Sequence, residues 1–126
     1  MANVKLNFLH VCENAFVSQD GKLSVVGIFN QIKAANFPAA HPKLSIVSSF
    51  AGDAGNYSEI IEIVSPTGEI IARAENNEIG IEKSGGSANF IANFIGLVFS
   101  LEGKYIIRAK VNGNVLNEDN FILLSR

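Results

Sequence analysis

His10 and Cys12 are the side chains whose types and spacing come nearest to chemistry. Residues two apart on a strand project to the same face, so an imidazole and a thiol here could form a nucleophile pair or two ligands of a metal. A catalytic dyad needs hydrogen-bond reach, whereas same-face neighbours at this spacing lie about 6.5–7 Å apart. The sequence has a single cysteine, and its other histidine, His41, is flanked by Ala40 and Pro42 in a stretch that reads as a loop. The pair is therefore expected to be a buried structural thiol and a histidine at a strand end or surface, with no metal and no cofactor.

The remaining chemistry-bearing residues are dispersed. Asp20, Asp53 and Asp119 stand alone in or near turns, without the Asp-x-Asp-x-Asp/Asn-Gly spacing of a calcium loop. Glu59 and Glu62 fall on opposite faces of one strand, and Glu75, Glu78 and Glu82 with Asn76 and Asn77 read as a solvated edge. Gly52-Asp53-Ala54-Gly55 lacks the Lys-Ser/Thr of a phosphate loop, Ser84-Gly85-Gly86-Ser87 reads as a hairpin loop, and no Gly-x-Ser-x-Gly elbow occurs. The sequence points to no catalytic residues, and the expectation is a protein that is not an enzyme.

The elements that carry these residues are expected to be strands. The chain has 126 residues, enough for one domain spanning residues 1–126, and 48% of them are hydrophobic. Fifteen isoleucines, ten valines and nine phenylalanines favour a pleated, half-buried surface. Gly, Pro, Asn and Ser clusters interrupt segments of these residues at short intervals, the pattern of an all-β, antiparallel, immunoglobulin-like sandwich of about seven to nine strands. Asn112-Gly113 predicts a type I′ hairpin, because both central residues of that turn need positive φ. Pro66-Thr67-Gly68 predicts a type I turn, and Asn76-Asn77 a further turn. From Ala88 to Leu101 the apolar residues fit a strand broken by a bulge at Gly96 better than a helix.

Ten basic against twelve acidic residues, a formal charge of −2, leave no basic excess for nucleic acid or an anionic membrane. Ser84–Leu101 has eighteen residues without a formal charge, but its Gly, Ser and Asn content is too polar for lipid. The first seventeen residues show no secretory signature, so a cytoplasmic location is expected.

Several blocks together resemble an uncharacterised bacterial family of small β-sandwich domains. They are Asp20-Gly21-Lys22-Leu23-Ser24, Phe37-Pro38-Ala39-x-His41-Pro42, Ser65-Pro66-Thr67-Gly68, Gly96-Leu97-x-Phe99 and Glu102-Gly103-x-Tyr105. The resemblance covers nearly the whole chain and implies the fold and the absence of an established activity. The chain departs from it at Ile95 and Val98, apolar where that family has a polar residue and a proline, which implies a covered face.

Tyr105, starting a strand after a tight corner, is similar to the tyrosine corner of immunoglobulin-like folds. Pro38 and Pro42 stiffen a crossover between sheets, and Phe37 and His41 on it form a possible recognition loop.

The outer faces give the positive signal. Ile60 and Val64 in one segment, and Ile91 and Ile95 in another, stand opposite apolar residues on the same strands, so these strands are apolar on both sides. In a two-layer sandwich such an outer face needs a partner. These four residues are expected to form the interface of a homo-oligomer or of a complex with another protein. The alternative is a peptide- or small-ligand-binding domain that uses the 33–43 and 52–56 loops.

Overall fold

A strand sends alternate side chains to opposite faces, so a chain this rich in Ile, Val and Phe buries one row per strand by stacking two sheets. The computed structural model describes residues 4–126, with residues 1–3 of the expected domain outside them. The strands are β1 (Val4–Val17), β2 (Leu23–Ile28), β3 (Gln31–Ala34), β4 (Ala39–Gly52), β5 (Gly55–Val64), β6 (Ile70–Ile81), β7 (Gly86–Phe99), β8 (Gly103–Val111) and β9 (Asn114–Ser125). One sheet has the order β2-β1-β4-β7, the other β3-β9-β8-β5-β6. The fold is an all-β, immunoglobulin-like sandwich. Neighbouring strands are antiparallel except β3 and β9, which run parallel after the chain crosses between sheets at Phe29–Asn30.

The core lies between the sheets. Leu44, Ile46 and Phe50 of β4 face Ile61 and Ile63 of β5, Ile107 and Ala109 of β8, and Phe121 and Leu123 of β9. At one end Phe99, Tyr105 and Phe121 form an aromatic knot with ring centroids 5.0–5.8 Å apart. Edge-to-face and offset contacts at such separations add to simple area burial.

The local turn chemistry acts as its residues dictate. Asn112 (φ 51°) and Gly113 (φ 84°) make the type I′ link of the β8–β9 hairpin. Gly68 N–H donates to the Ser65 carbonyl at 3.0 Å, closing the turn around Pro66-Thr67. Asn76-Asn77 is not a turn: β6 runs through it with a register shift against β5 at Tyr57/Glu59, because a bulge uses the same small polar residues as a turn.

The expected loops are shorter than the sequence suggests. Residues 35–38 alone separate β3 from β4, placing His41 inside β4, and residues 53–54 alone separate β4 from β5.

Gly96 switches faces without slipping the ladder. Phe94 and Phe99, five residues apart, are both in the core, although strict alternation would put one of them outside. The pairs His41–Leu97 and Lys43–Ile95 keep one register, so no extra residue is inserted. Instead Gly96 takes φ 69° opposite Pro42, and the turnover is shared by both strands.

Both tyrosines tie a strand start to the preceding corner. The Tyr105 hydroxyl donates to the Leu101 carbonyl at 2.7 Å, and the Tyr57 hydroxyl donates to the Asp53 carbonyl at 2.6 Å. In each case the acceptor lies four residues upstream and a positive-φ glycine, Gly103 or Gly55, lies two upstream. Only the first of these corners was anticipated from the sequence. Tyr105→Phe and Tyr57→Phe keep the rings but remove the ties. Each is expected to lose about 1–3 kcal/mol, read from urea unfolding midpoints. Unchanged midpoints in both would remove the structural role of the corners.

Candidate functional site

The outer face of the four-stranded sheet is built from cross-strand rows. β1, β4 and β7 align Phe8–Ser49–Asn89, His10–Val47–Ile91 and Cys12–Ser45–Asn93, with Lys43–Ile95 beyond them. The register of β1 shifts between Leu6 and Phe8, so Leu6 joins the core while Phe8 turns outward. Val47, Cys12 and Ala15 form the buried floor of an outer cluster, and Phe8, Leu23, Val25 and Ile91 pack half-buried around it. Apolar burial on the outside of a two-layer sandwich is the feature the alternation predicted, for the two-faced N-terminal strand with Phe8 and Cys12 as for Ile91, but its floor includes Val47, which the sequence did not single out.

Polar groups rim this cluster. The Phe8 and His10 rings stack at 5.3 Å. Ser45 Oγ donates to Asn93 Oδ1 at 2.6 Å, Asn7 Nδ2 to Ser49 Oγ at 3.2 Å, and Lys43 Nζ to Asn14 Oδ1 at 2.8 Å. The three central rows hold no acid, and their only basic side chain is His10.

The four expected interface residues do not form one patch. Ile60 and Val64 belong to β5 of the five-stranded sheet, while Ile91 and Ile95 belong to β7 of the other, because the chain crosses between sheets once between them, from β6 to β7. Val64 is buried, Ile60 and Ile91 are half-buried, and Ile95 is 80% exposed. Around Ile60 and Val64 the outer face is charged: Arg73, Glu62, Arg108 and Glu118 alternate in sign along one cross-strand row. Arg108 Nε lies 2.6 Å from Glu118 Oε2, and Lys110 Nζ lies 3.1 Å from Glu62 Oε1. This face is a solvated charge ladder. The apolar signal therefore belongs to the four-stranded sheet.

His10 and Cys12 share the outer face but engage different partners, with the thiol donating to the Ser45 carbonyl at 3.6 Å. Burial pushes the Cys12 thiol up from its ordinary value. Among the described residues no group of three His, Cys, Asp or Glu is placed to hold a metal. Native-state alkylation of Cys12 should require unfolding, and a rate equal to that of the denatured chain would contradict its burial.

Phe37 and His41 also part company. Phe37 packs half-buried against the core, whereas His41 meets Phe29 at 6.3 Å. The Phe29–His41 pair, with Glu13, Ile32, Pro42 and Lys43, lines an open cleft of about 430 Å³ where the chain changes sheets. A second cleft of about 330 Å³ lies against Phe29 and contains His10, Asp119 and Asn120.

The carboxyl of Glu59 is not singled out in the sequence as a functional group, although alternation places it on the face of Ile61 and Ile63. Glu59 points into the core, fully buried, and accepts a hydrogen bond from Ser48 Oγ at 2.5 Å across the two sheets. Its Oε1 has no hydrogen-bond partner among the described residues. Desolvation raises its pKa to about 7, the Ser48 bond opposing the shift. The unfolded chain gives up this proton near 4.5 and the folded one holds it to about 7, so stability is highest below 4.5 and falls as pH rises through that window. The full difference is about 3 kcal/mol. Glu59→Gln should flatten this part of the stability–pH profile and be relatively more stable at pH 8 than at pH 4.5. Parallel profiles for the two proteins would show that Glu59 is ionised in the fold.

The fold recurs in solved structures at low identity. A chain of the Pseudomonas fluorescens alkylpurine DNA glycosylase AlkC, bound to DNA containing an abasic site analog, matches with a TM-score of 0.58 and 14% identity over 96% of this chain. This chain spans only 30% of that one. An immunoglobulin-like protein from Pseudomonas aeruginosa aligns over 96% of both chains, with a TM-score of 0.43 and 12% identity. No curated protein matches the sequence. The model of a family of unknown function, DUF6941, matches residues 7–123, and the protein belongs to that family.

Proposed function

We propose that this domain is a non-enzymatic interaction module that self-associates through its four-stranded sheet. The observation that carries the reading is the contrast between its two outer faces. One is a ladder of ion pairs; the other has half-buried Phe8 and Ile91 over a buried Val47, inside a rim of Asn and Ser. Interface centres are depleted in charge and rimmed by polar groups, the composition of the second face. A second copy suits it, because the central rows hold no Asp, Glu, Lys or Arg for a two-fold axis to oppose. Its exposed Ile95 extends the apolar surface to the sheet edge.

The charge of −2 and the acid-free but barely basic face support neither nucleic acid nor an anionic membrane as partner, and the DNA of the glycosylase complex is not carried over. Among the described residues no helix is long and apolar enough to cross a membrane. A cytoplasmic location fits the buried, unpaired Cys12. The second reading is a small-ligand site in the cleft against Phe29, favoured by the Phe29–His41 ring pair beside Lys43 and Glu13.

Light scattering after size exclusion tests the main reading. A concentration-dependent dimer is expected, and Ile91→Thr/Ile95→Thr, which keeps β-branched shape, should weaken it by about ten-fold or more, since each buried Ile is worth roughly 1.5–3 kcal/mol. A parent that stays monomeric at millimolar concentration would leave the cleft reading in its place.

A further inference from the structure

A two-sheet sandwich has four edge strands, and three of these are protected against pairing. β2 has six residues and is kinked by Gly27 at φ 70°. β3 has four residues. β6 carries exposed Arg73, Glu75 and Glu78 and a bulge. Short length, kinks, bulges and charge are the devices by which natural edges avoid one another. The fourth edge, β7, has none of the first and last: it runs fourteen residues from Gly86 to Phe99 without a charge or a proline. It hydrogen-bonds to β4 on one side only.

We infer that β7 is the joint of the association proposed above, pairing antiparallel with β7 of a second copy across a two-fold axis centred on Asn93. The inference rests on the self-association in that reading and places the contact at the sheet edge, beside the apolar centre rather than over it. A two-fold axis normal to the sheet keeps outer faces together, so opposed residues must share a face. Centring on Asn93 sets Ile91 opposite the Ile95 of the second copy, and Ile95 opposite its Ile91. It places a partner side chain against Ile95, the most exposed large hydrophobic side chain among the described residues. Because β7 is uncharged, no like charges meet, as they would in a symmetric pairing of β6. The joint spans Ile91–Ile95, stopping short of the face switch at Gly96, and supplies roughly five backbone hydrogen bonds, the low end of a standard interface. Each copy uses β7 once and the opposite edge is kinked, so the assembly closes as a dimer rather than growing into a filament.

Cysteine crosslinking in a Cys12→Ala background tests this. Directly opposed residues in an antiparallel pair approach closely enough for a disulfide. Asn93→Cys is expected to form a disulfide-linked dimer under mild oxidation, whereas His10→Cys, on the same face but an interior strand, is not. Ile95→Lys should weaken the dimer at least ten-fold, and Ile28→Lys on the β2 edge should leave it unchanged, with circular dichroism confirming that each variant folds. A dimer that crosslinks through His10 and not Asn93, or that survives Ile95→Lys, overturns the edge joint while self-association stands. A monomeric parent overturns both.

Discussion

Every strand except β2 gives one row of side chains to a single interior, and what it does with the other row follows from that. A two-layer sandwich has no third layer, so each outward row must be made compatible with water or with a partner. On the five-stranded sheet the solution is charge. Glu62 sits nearly buried between Arg108 and Lys110, its desolvation offset by two cations, and the row continues with opposite signs to Arg73 and Glu118. On the four-stranded sheet the three central outward rows hold Val, Ile, Phe, Ser, Asn, Cys and His, with no ion pair among them.

The features legible in the sequence are those decided within a few residues. Asn112-Gly113 and Pro66-Thr67-Gly68 specify turns because their backbone angles are restricted whatever surrounds them. Tyr105 is legible by its place after Glu102-Gly103, and Tyr57 would have been by the same test, since Gly55-Asn56-Tyr57 repeats the spacing of Gly103-Lys104-Tyr105. The face switch at Gly96 was visible as a phase change from Phe94 to Phe99. Its sharing with Pro42, which leaves the register intact, depends on the partner strand and was not visible.

What failed depended on which sheet a strand joins. Ile60 and Val64 have the same two-faced apolar pattern as Ile91 and Ile95, and no local property distinguishes them. The crossovers assign β5 to the charged face and β7 to the uncharged one. Glu59 failed for a related reason. Alternation put it on the face of Ile61 and Ile63, but a carboxylate on a strand normally signals the solvent face, and the Ser48 that receives it lies on the other sheet. The cluster around Val47 was hidden because Val47 reads as an ordinary core valine.

β4 is where these separate solutions meet. It is an interior strand of the uncharged sheet, paired along its length with β7 on one side and β1 on the other. Its inward residues are aliphatic or aromatic except Ser48, and Ser48 stands between Val47 and Ser49, which centre the outer rows. The hydrogen bond to Glu59 thus fastens to the opposite sheet the strand on which the outer cluster is built. A protonated Glu59 makes that bond without placing a charge in the core, whereas an ionised one would keep the bond and carry the desolvation cost of a buried carboxylate. Desolvation in the core holds the Glu59 proton up to about pH 7, so below that pH the two sheets are tied by neutral groups, a hydroxyl of one and a carboxyl of the other.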